Sequence, residues 1–313
     1  MARRGHIQSG RAYSVTVSAE LAISIGATIG ATLRQQPRER VHGGSINECY
    51  RWETDAGAIF VKVAPVRNVE MFAAEAAGLD ELRRANAVRV PRVLGVGQGS
   101  QLDQARAWLA LEWIQTGHAT HSTDATLGEK LAKQHRATQT SFGWSRDNTI
   151  GSTPQLNAEC LDWITFYRDL RLRYQLDLAA KNGFNGRLQE RGATLVDCLP
   201  HFFRTCKPTP SLLHGDLWGG NRLTDEDGQP VIFDPAVYYG DREADIAMTH
   251  LFGGFGKDFY AAYEAAWPRD PGHEVRADLY NLYHVLNHLN LFGGGYLRQA
   301  TGMIDRLLAA AGR

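Results

Sequence analysis

The chain has 313 residues, 43% of them hydrophobic and 22% charged, a composition typical of a globular protein and a length that suits two domains or lobes. Lys plus Arg and Asp plus Glu each number 34, which argues against a dedicated nucleic-acid-binding protein and against a strongly basic membrane-surface protein. The amino terminus lacks the apolar core of a signal peptide and no stretch holds 18 consecutive apolar residues, so we expect a soluble, cytoplasmic protein with no nucleic-acid or membrane partner. The four cysteines are irregularly spaced, which favours free thiols over a disulfide framework or a zinc site.

The first third of the sequence predicts a small β-rich lobe. Ser18 is the expected N-cap of a helix over residues 19–33. Turn residues, first Gly43 with Gly44 and then residues 55–57, separate three predicted strands, the third of which covers residues 58–63. This order predicts strand, glycine turn, strand, turn and strand.

A helix and two more strands complete this lobe. Residues 69–85 have helical periodicity, and segments 90–99 and 105–114 have strand character. The apolar face predicted for the helix consists of Met71, Phe72, Ala76, Leu79 and Leu82. Five strands and one inserted helix are therefore expected in roughly the first 113 residues.

The remainder of the chain predicts a larger, mainly helical lobe. Helices are predicted over residues 126–138, 161–183, 193–206 (interrupted at Pro200), 257–267, 277–292 and 295–311. Two short strand-like pieces, residues 211–216 and 230–235, each end near a carboxylate and could pair as a hairpin. The fold class expected is α+β, with an antiparallel-sheet lobe over residues 1–113 and a helical lobe over residues 114–313.

Polar residues in both lobes match what phosphoryl transfer from ATP requires. A glycine turn allows backbone N–H groups to approach phosphates, and a strand lysine, Lys62, oriented by a helix glutamate, Glu75, would neutralise their charge. Asp216 could accept the proton of an attacking hydroxyl, while Asn221 and Asp234 offer the hard oxygen ligands that Mg²⁺ prefers. Asp216 precedes Asn221 by five residues, which is the spacing of a kinase catalytic loop.

Two longer motifs carry a more specific resemblance. The sequence HGDLWGGN, together with FDPAVYYGDREADIAM, resembles the fructosamine-3-kinase (ketosamine-3-kinase) family. That family belongs to the protein-kinase-like superfamily, beside the aminoglycoside and choline kinases, and the resemblance extends over nearly the whole chain. It implies a bilobal protein-kinase-like fold.

Roles follow from the resemblance position by position. It implies that Asp216 is the catalytic base, that Asn221 and Asp234 bind Mg²⁺, and that Lys62, paired with Glu75, contacts the phosphates of ATP. The implied phosphate loop consists of Gly43, Gly44, Ser45, Ile46 and Asn47, and the implied adenine-binding hinge of Glu112, Trp113 and Ile114. His214 and Asp245 are expected to support the catalytic loop, and Trp218 to border the acceptor site. Many relatives have cysteine where this chain has Ser45, so redox control through that position is not expected.

The same residue types allow less specific interpretations. His284 and His288 have metal-ligand spacing, but without an accompanying carboxylate or cysteine they favour packing or surface roles. In the charged run Asp241, Arg242, Glu243, we expect solvated side chains or side chains that line the acceptor pocket. The aromatic residues Trp163, Phe166 and Tyr167 are expected in the core of a long helix.

The function that these observations favour is an ATP- and Mg²⁺-dependent kinase acting on O3 of a ketoamine, the adduct of a sugar with an amine. The resemblance implies fructosamines or ribulosamines, free or attached to protein, and breakdown of the phosphorylated adduct with release of the amine. One alternative is a small-molecule kinase of the aminoglycoside or choline type, which a strongly acidic acceptor pocket would favour. Another is a nucleotide-binding module without catalysis. The preferred sugar and the oligomeric state stay open at this point.

Overall fold

The structure is a computed structural model that describes residues 19–41, 47–101 and 104–313. Its amino-terminal part contains a five-stranded sheet in which neighbouring strands are antiparallel, in the order β1-β2-β3-β5-β4. The strands are β1 (Glu39–Val41), β2 (Glu48–Thr54), β3 (Gly57–Pro65), β4 (Val93–Gln101) and β5 (Gln104–Glu112). The predicted five strands and inserted helix are confirmed, whereas the Gly43 and Gly44 turn and the Ser18 cap lie outside the described residues.

Two helices cover the two faces of this sheet. Helix α1 (Ala19–Ile29) packs Leu21 and Ile25 against a cluster that includes Trp108 of β5. Helix α2 (Val69–Arg84) packs on the opposite face, where Leu109 lies. Because side chains alternate along a strand and both faces are buried, β5 has a continuous apolar run.

The apolar face predicted for α2 is largely confirmed. Phe72, Ala76, Leu79 and Leu82 are buried, and Met71 is only partly buried. The predicted extent of α1 is wrong at its carboxyl end, because the chain leaves the helix after Ile29 at Gly30, whose φ is +70°.

Helices dominate the carboxy-terminal part, as predicted. They are α3 (His121–His135), α4 (Trp163–Tyr167), α5 (Tyr174–Lys181), α6 (Arg187–Cys198), α7 (Glu243–Leu251), α8 (Lys257–Ala266), α9 (His273–Phe292) and α10 (Leu297–Ala310). A π-helical segment, Arg168–Arg173, joins α4 to α5, and short 3₁₀ turns occupy Val66–Asn68, Leu199–Phe203, Gly219–Asn221 and Gly294–Tyr296. Pro200 lies at the start of a 3₁₀ turn that follows α6, where its missing N–H removes no α-helical bond.

Six short strands form three antiparallel pairs around the helices. They are β6 (Asn148–Ile150), β7 (Thr153–Gln155), β8 (Ser211–Leu213), β9 (Arg222–Thr224), β10 (Pro230–Ile232) and β11 (Tyr238–Gly240). The pairs are β6 with β7, β9 with β10, and β8 with β11. The predicted hairpin between segments 211–216 and 230–235 is therefore wrong. Strand β10 pairs instead with β9, which a turn at Asp225 and Gly228 places beside it, and closing a short loop costs less entropy than closing a long one.

The charged run Asp241, Arg242, Glu243, which leads into α7, is buried. The prediction that these side chains are solvated or line the acceptor pocket is therefore wrong. Glu243 forms a two-pronged ion pair with Arg276 of α9, at 2.8 and 2.9 Å. Asp241 accepts a hydrogen bond from Tyr280, and Arg242 donates to the Tyr263 hydroxyl and to backbone carbonyls. Buried charges need such partners, and only the tertiary structure supplies them. The predicted core positions of Trp163, Phe166 and Tyr167 are confirmed.

All four cysteines lie in the described part and are free. Within the described ranges, no helix combines the length and the apolar character that crossing a bilayer requires.

Replacing Glu243 tests the buried ion pair. Glu243→Gln removes the charge that neutralises Arg276, and breaking a buried pair costs about 3 kcal/mol or more. The control Asp278→Asn breaks the exposed pair between Asp278 and Arg306, which should cost less than about 1 kcal/mol. Urea unfolding of the three proteins measures both losses, and equal losses would contradict the assigned difference in burial.

Candidate active site

A cavity of about 360 Å³ brings together side chains from the amino-terminal sheet and the helical part. Its wall includes Lys62 from β3 and Glu75 from α2 on one side, and Asp216, Asn221 and Asp234 from the loops around β8 to β11 on the other. These residues are far apart in sequence, so the tertiary fold alone makes them neighbours.

Lys62 connects the two sides of the cavity. Its buried ammonium group lies 2.7 Å from Glu75 Oε1 and 2.6 Å from Asp234 Oδ1. Burial by itself would lower the pKa of Lys62, but the two carboxylates more than compensate and raise it, so the ammonium stays charged. Burial raises the pKa of Glu75 to about 7, although the nearby Lys62 opposes this shift.

Asp234 has an unusual backbone conformation. Its φ is +58°, in the left-handed region that costs a non-glycine residue about 1–2 kcal/mol. Neighbouring hydrogen bonds hold the chain there, because Phe233 N donates to Asn221 O and Ala236 N donates to His214 O. Strained backbone of this kind concentrates at functional sites, where the surrounding structure maintains it.

Sequence analysis assigned no role to the β6–β7 hairpin, which contacts this strained segment. Asn148 Nδ2 donates to Val237 O at 2.7 Å, and Gln155 Nε2 donates to Ala236 O at 3.0 Å. Residues 148–151 also form part of the cavity wall. The resemblance to the family extends over nearly the whole chain, but neither motif on which it rests includes these residues.

Asp216 and Asn221 are joined directly. Asn221 Nδ2 donates to the Asp216 carboxylate at 3.0 Å and to the Asp216 carbonyl at 2.9 Å. Burial raises the pKa of Asp216 to about 7; the hydrogen bond from Asn221 opposes this shift, and the negative charges of Asp234 and Asp245 add to it. A carboxylate with a pKa near neutrality is suited to accept a proton.

Asp245, at the start of α7, supports the loop that carries Asp216. Its two carboxylate oxygens accept hydrogen bonds from His214 N at 2.7 Å and Gly215 N at 2.9 Å. His135 of α3, which sequence analysis did not single out, lies 3.1 Å from the same carboxylate. Burial by itself would raise the pKa of Asp245, but His135, His214 and the Gly215 N–H lower it, so the carboxylate stays charged.

The imidazole of His214 lies between two segments of the site. Its Nε2 donates to Phe233 O at 3.0 Å, while its Nδ1 accepts from Asp216 N at 3.2 Å. Burial lowers the pKa of His214, which keeps the ring neutral and suits this pattern of one donor and one acceptor.

The glycines of the LLHGDLWGGN stretch are required by close contacts. Gly215 has φ +81°, and a Cβ atom there would lie 2.0 Å from Ala236 O. At Gly220 a Cβ atom would lie 2.3 Å from the indole of Trp218, which folds over this residue. Larger residues at these positions would displace the backbone beside Asp216 and Asn221.

Aromatic side chains form one edge of the cavity mouth. Trp218, Phe252 and Phe292 are 36, 41 and 57% exposed, respectively, and all three belong to the cavity wall. The Phe252 ring lies 6.1 Å from Trp218 and 4.9 Å from His288, whose Nδ1 donates to the carbonyl of His284 in the same helix. His288 packs against Phe252, which agrees with the packing or surface role expected of the two histidines.

The predicted adenine-binding hinge lies apart from the cavity wall, and most of the predicted phosphate loop is outside the described residues. Glu112, Trp113 and Ile114 lie where β5 ends and are not among the residues that line the cavity. The Glu112 carboxylate accepts hydrogen bonds from Arg89 and from Arg92 N. Of the predicted phosphate loop, Gly43, Gly44, Ser45 and Ile46 lie outside the described residues. Asn47 belongs to the cavity wall, and its buried side-chain oxygen has no hydrogen-bond partner within the described part of the chain.

A family model described as fructosamine kinase matches residues 17–310, which is nearly the whole chain. The chain belongs to the fructosamine kinase family. A probable ketoamine kinase of Synechocystis sp. is 42% identical over 289 residues, covering 92% of this chain and 96% of the relative. The chloroplastic protein-ribulosamine 3-kinase of Arabidopsis thaliana is 44% identical over 270 residues, covering 86% and 81% of the two chains.

Solved structures agree with this assignment. A Haemophilus somnus protein described provisionally as fructosamine-3-kinase superposes with a TM-score of 0.82 at 27% identity, covering 94% of this chain and 98% of that one. A macrolide 2′-phosphotransferase from Brachybacterium faecium gives a TM-score of 0.56 at 15% identity, over 90% and 96% of the chains, and shares the fold alone. The α+β, protein-kinase-like fold expected from the sequence motifs is confirmed.

Replacing Gly215 tests the close contact beside Asp216. Gly215→Ala combines a left-handed backbone with a clash against Ala236 O, so we expect it to reduce stability by several times as much as the control. The control is Gly228→Ala, since Gly228 has a similar φ of +76° but no atom within 4 Å of the added Cβ, and should cost about 1–2 kcal/mol. Thermal unfolding measures both; a similar loss in the two variants would contradict the packing described for Gly215.

The buried state of His135 predicts a pH dependence of stability. Burial lowers the pKa of His135, and Asp245 only partly opposes this, so below about pH 6.5 the unfolded chain binds a proton that the folded protein excludes. The free energy of unfolding of the wild type therefore decreases as the pH is lowered, because His135 must be protonated only in the unfolded chain. The variant His135→Gln lacks this pH-dependent loss.

We expect His135→Gln to be less stable than wild type at pH 7.5, because the hydrogen bonds to Asp245 and Tyr263 are perturbed. When the pH is lowered from 7.5 to 5, the difference in free energy of unfolding between the two proteins should change by about 1–2 kcal/mol in favour of the variant. Urea unfolding at the two pH values measures this, with the exposed His121→Gln as the control. A difference that does not change with pH would contradict the prediction.

Proposed function

We propose that this member of the fructosamine kinase family is an ATP- and Mg²⁺-dependent kinase that phosphorylates the O3 hydroxyl of ketoamines, either free or attached to protein. The proposal rests on one observation: five polar side chains line the same cavity, namely Asp216, Asn221, Asp234, Lys62 and Glu75. Among them, Asp216 has a pKa raised to about 7. The names of relatives at about 40% identity, ketoamine kinase and protein-ribulosamine 3-kinase, support the acceptor class.

The oxygen ligands and the lysine of the cavity suit Mg²⁺ and the phosphates of ATP, respectively. Asn221 and Asp234 would bind the ion with two oxygen ligands, leaving the other octahedral positions to phosphate oxygens and water. Lys62, oriented by Glu75, would neutralise phosphate charge, and Asn47, the last residue of the predicted phosphate loop, belongs to the same cavity wall. When bound, Mg²⁺·ATP supplies the γ-phosphoryl group as the electrophile.

Asp216 would act as the base for the acceptor. In its ionised form it accepts the proton of the attacking hydroxyl, while Asn221 fixes the direction of its carboxylate. Asp245 binds the two backbone N–H groups that precede this residue, and His214 accepts from the N–H of Asp216 itself, so both would position the base without touching substrate. Phosphoryl transfer leaves little covalent work to the protein, so this positioning is the main contribution of the chain.

The charge of the acceptor half favours ketoamines over the aminoglycoside type of acceptor. Beyond Glu75, Asp216 and Asp234, the described residues of the cavity wall include no carboxylate. We place the acceptor around Asp216, Trp218 and Phe252, and apart from Asp216 this half of the cavity has no acidic side chain among the described residues. Polycationic aminoglycosides would require more negative charge, and a non-catalytic module would not need the complete set of polar groups.

The proposal also covers the roles of the two lobes, the fate of the product and the location of the protein. We assign residues 1–113 to nucleotide binding and residues 114–313 to catalysis and acceptor binding, with Glu112, Trp113 and Ile114 at the adenine-binding hinge. Phosphorylation at O3 would destabilise the adduct and release the amine, which amounts to the repair of glycation. A cytoplasmic location, with no nucleic-acid or membrane partner, stays a prediction.

Coupled ADP release tests the function directly. Wild-type protein with ATP and Mg²⁺ should turn over ribuloselysine or fructoselysine but not an aminoglycoside or choline. Asp216→Ala should lower kcat by at least about 10²-fold, since it removes the base.

Phosphate at O3 of the product, located by NMR, would establish the position of transfer. The proposal would be overturned by turnover confined to the aminoglycoside or choline, or by nucleotide binding with no turnover of any ketoamine.

A further inference from the structure

His284 is a buried polar residue of the cavity wall that the proposed phosphoryl transfer does not use. It lies on α9, its side chain is among the described residues that line the cavity with Asp216 and Trp218, and it is only 5% exposed. Its neighbour along the helix, Tyr283, is fixed by a hydrogen bond to Gln155 of the β6–β7 hairpin. The position of His284 is therefore set by rigid surroundings.

The ring nitrogens of His284 make no hydrogen bond with any residue that the structure describes, although its carbonyl accepts one from His288. Two other polar residues of the same wall have hydrogen-bond partners. Asn287 donates to Ile150 O and accepts from Gln175, and Asn148 donates to Val237 O. Buried polar side chains almost always have partners, so a partner for the His284 ring is expected from within the cavity.

The protonation state of His284 restricts what that partner can be. Burial, together with the nearby His288, lowers the pKa of His284 to about 3; Arg171 acts in the same direction and Asp245 opposes it. The imidazole is therefore neutral at physiological pH and offers one N–H donor and one nitrogen acceptor. A hydroxyl group, which both donates and accepts, matches this ring better than a phosphate or an ammonium group does.

We propose that His284 binds a hydroxyl of the ketoamine sugar other than the one that is phosphorylated, and thereby selects the sugar. The inference rests on the proposed function and deepens it, because Asp216 and His284 belong to the same cavity and the acceptor half includes no carboxylate besides the base. The hydrogen bond would orient the sugar so that its O3 faces Asp216. His284 would then determine acceptor specificity and leave nucleotide binding unchanged.

Paired changes in enzyme and substrate test this assignment. The enzymes are wild type, His284→Phe, which removes both ring nitrogens, and His284→Gln, which keeps a donor and an acceptor. The substrates are ribuloselysine and its analogues lacking the C4 or the C5 hydroxyl. His250→Phe is the control, since it removes an exposed imidazole that stacks on Tyr260 away from the cavity.

For His284→Phe we expect kcat/KM for ribuloselysine to fall about 10- to 100-fold, the effect of one lost hydrogen bond and an unpaired substrate group. The KM for ATP should stay within about twofold, and His284→Gln should recover part of the loss. On the analogue that lacks the bound hydroxyl, wild type and His284→Phe should have equal kcat/KM.

The outcomes separate this inference from the proposed function. An equal loss in His284→Phe on ribuloselysine and on both deoxy analogues would overturn the inference and assign His284 to packing. Wild-type protein that binds ATP but phosphorylates no ketoamine would overturn the proposed function, and the inference with it.

Discussion

The buried carboxylate of Asp245 holds the catalytic segment in place. It accepts hydrogen bonds from two consecutive backbone N–H groups, those of His214 and Gly215, immediately before Asp216. On its other side, His135 donates to Asp245 from Nε2 and accepts at Nδ1 from the hydroxyl of Tyr263, which itself accepts from Arg242. Each group in this chain of hydrogen bonds has its donors and acceptors paired, which is the condition under which a buried polar network makes a structure rigid.

The ammonium group of Lys62 joins the amino-terminal sheet to the catalytic loops. It lies between Glu75 of α2 and Asp234, so a single buried positive charge contacts carboxylates from both parts of the chain. Removing either carboxylate would leave less compensation for a desolvated charge. The strained backbone at Asp234 is maintained by the hydrogen bonds of the β6–β7 hairpin and of Asn221. The geometry at Asp234 therefore depends on contacts with sequence-distant residues.

The wall of the cavity around Trp218 differs in character from the wall around Lys62. Charged groups cluster around Lys62, where we propose that phosphate binds, whereas the wall around Trp218 consists of aromatic and neutral polar side chains apart from Asp216. A neutral surface with a few unsatisfied hydrogen-bonding groups suits a sugar, because sugar hydroxyls both donate and accept. His284 shows this property most clearly, since it is buried and neutral and its ring nitrogens have no hydrogen-bond partner in the described part of the chain.

The sequence by itself determined the succession of most elements and indicated the polar residues that we propose for catalysis. The periodicity of residues 69–85 predicted α2, the apolar run of β5 predicted a strand, and the HGDLWGGN and FDPAVYYG motifs pointed to Asp216, Asn221 and Asp234, which lie in one cavity wall. These features are local, because propensity, spacing and turn chemistry act over a few residues.

Tertiary structure alone decided the pairing of β8 with β11, the burial of Asp241, Arg242 and Glu243, and the participation of His135, His284 and the β6–β7 hairpin. Charged residues next to a catalytic motif resemble solvated ones in sequence, and whether they are buried depends on partners such as Arg276 and Tyr280 that come from a helix thirty or more residues away. The pKa of a buried ionisable group and the pairing of a buried imidazole both depend on the groups that surround them. Those surroundings exist only after the chain has folded.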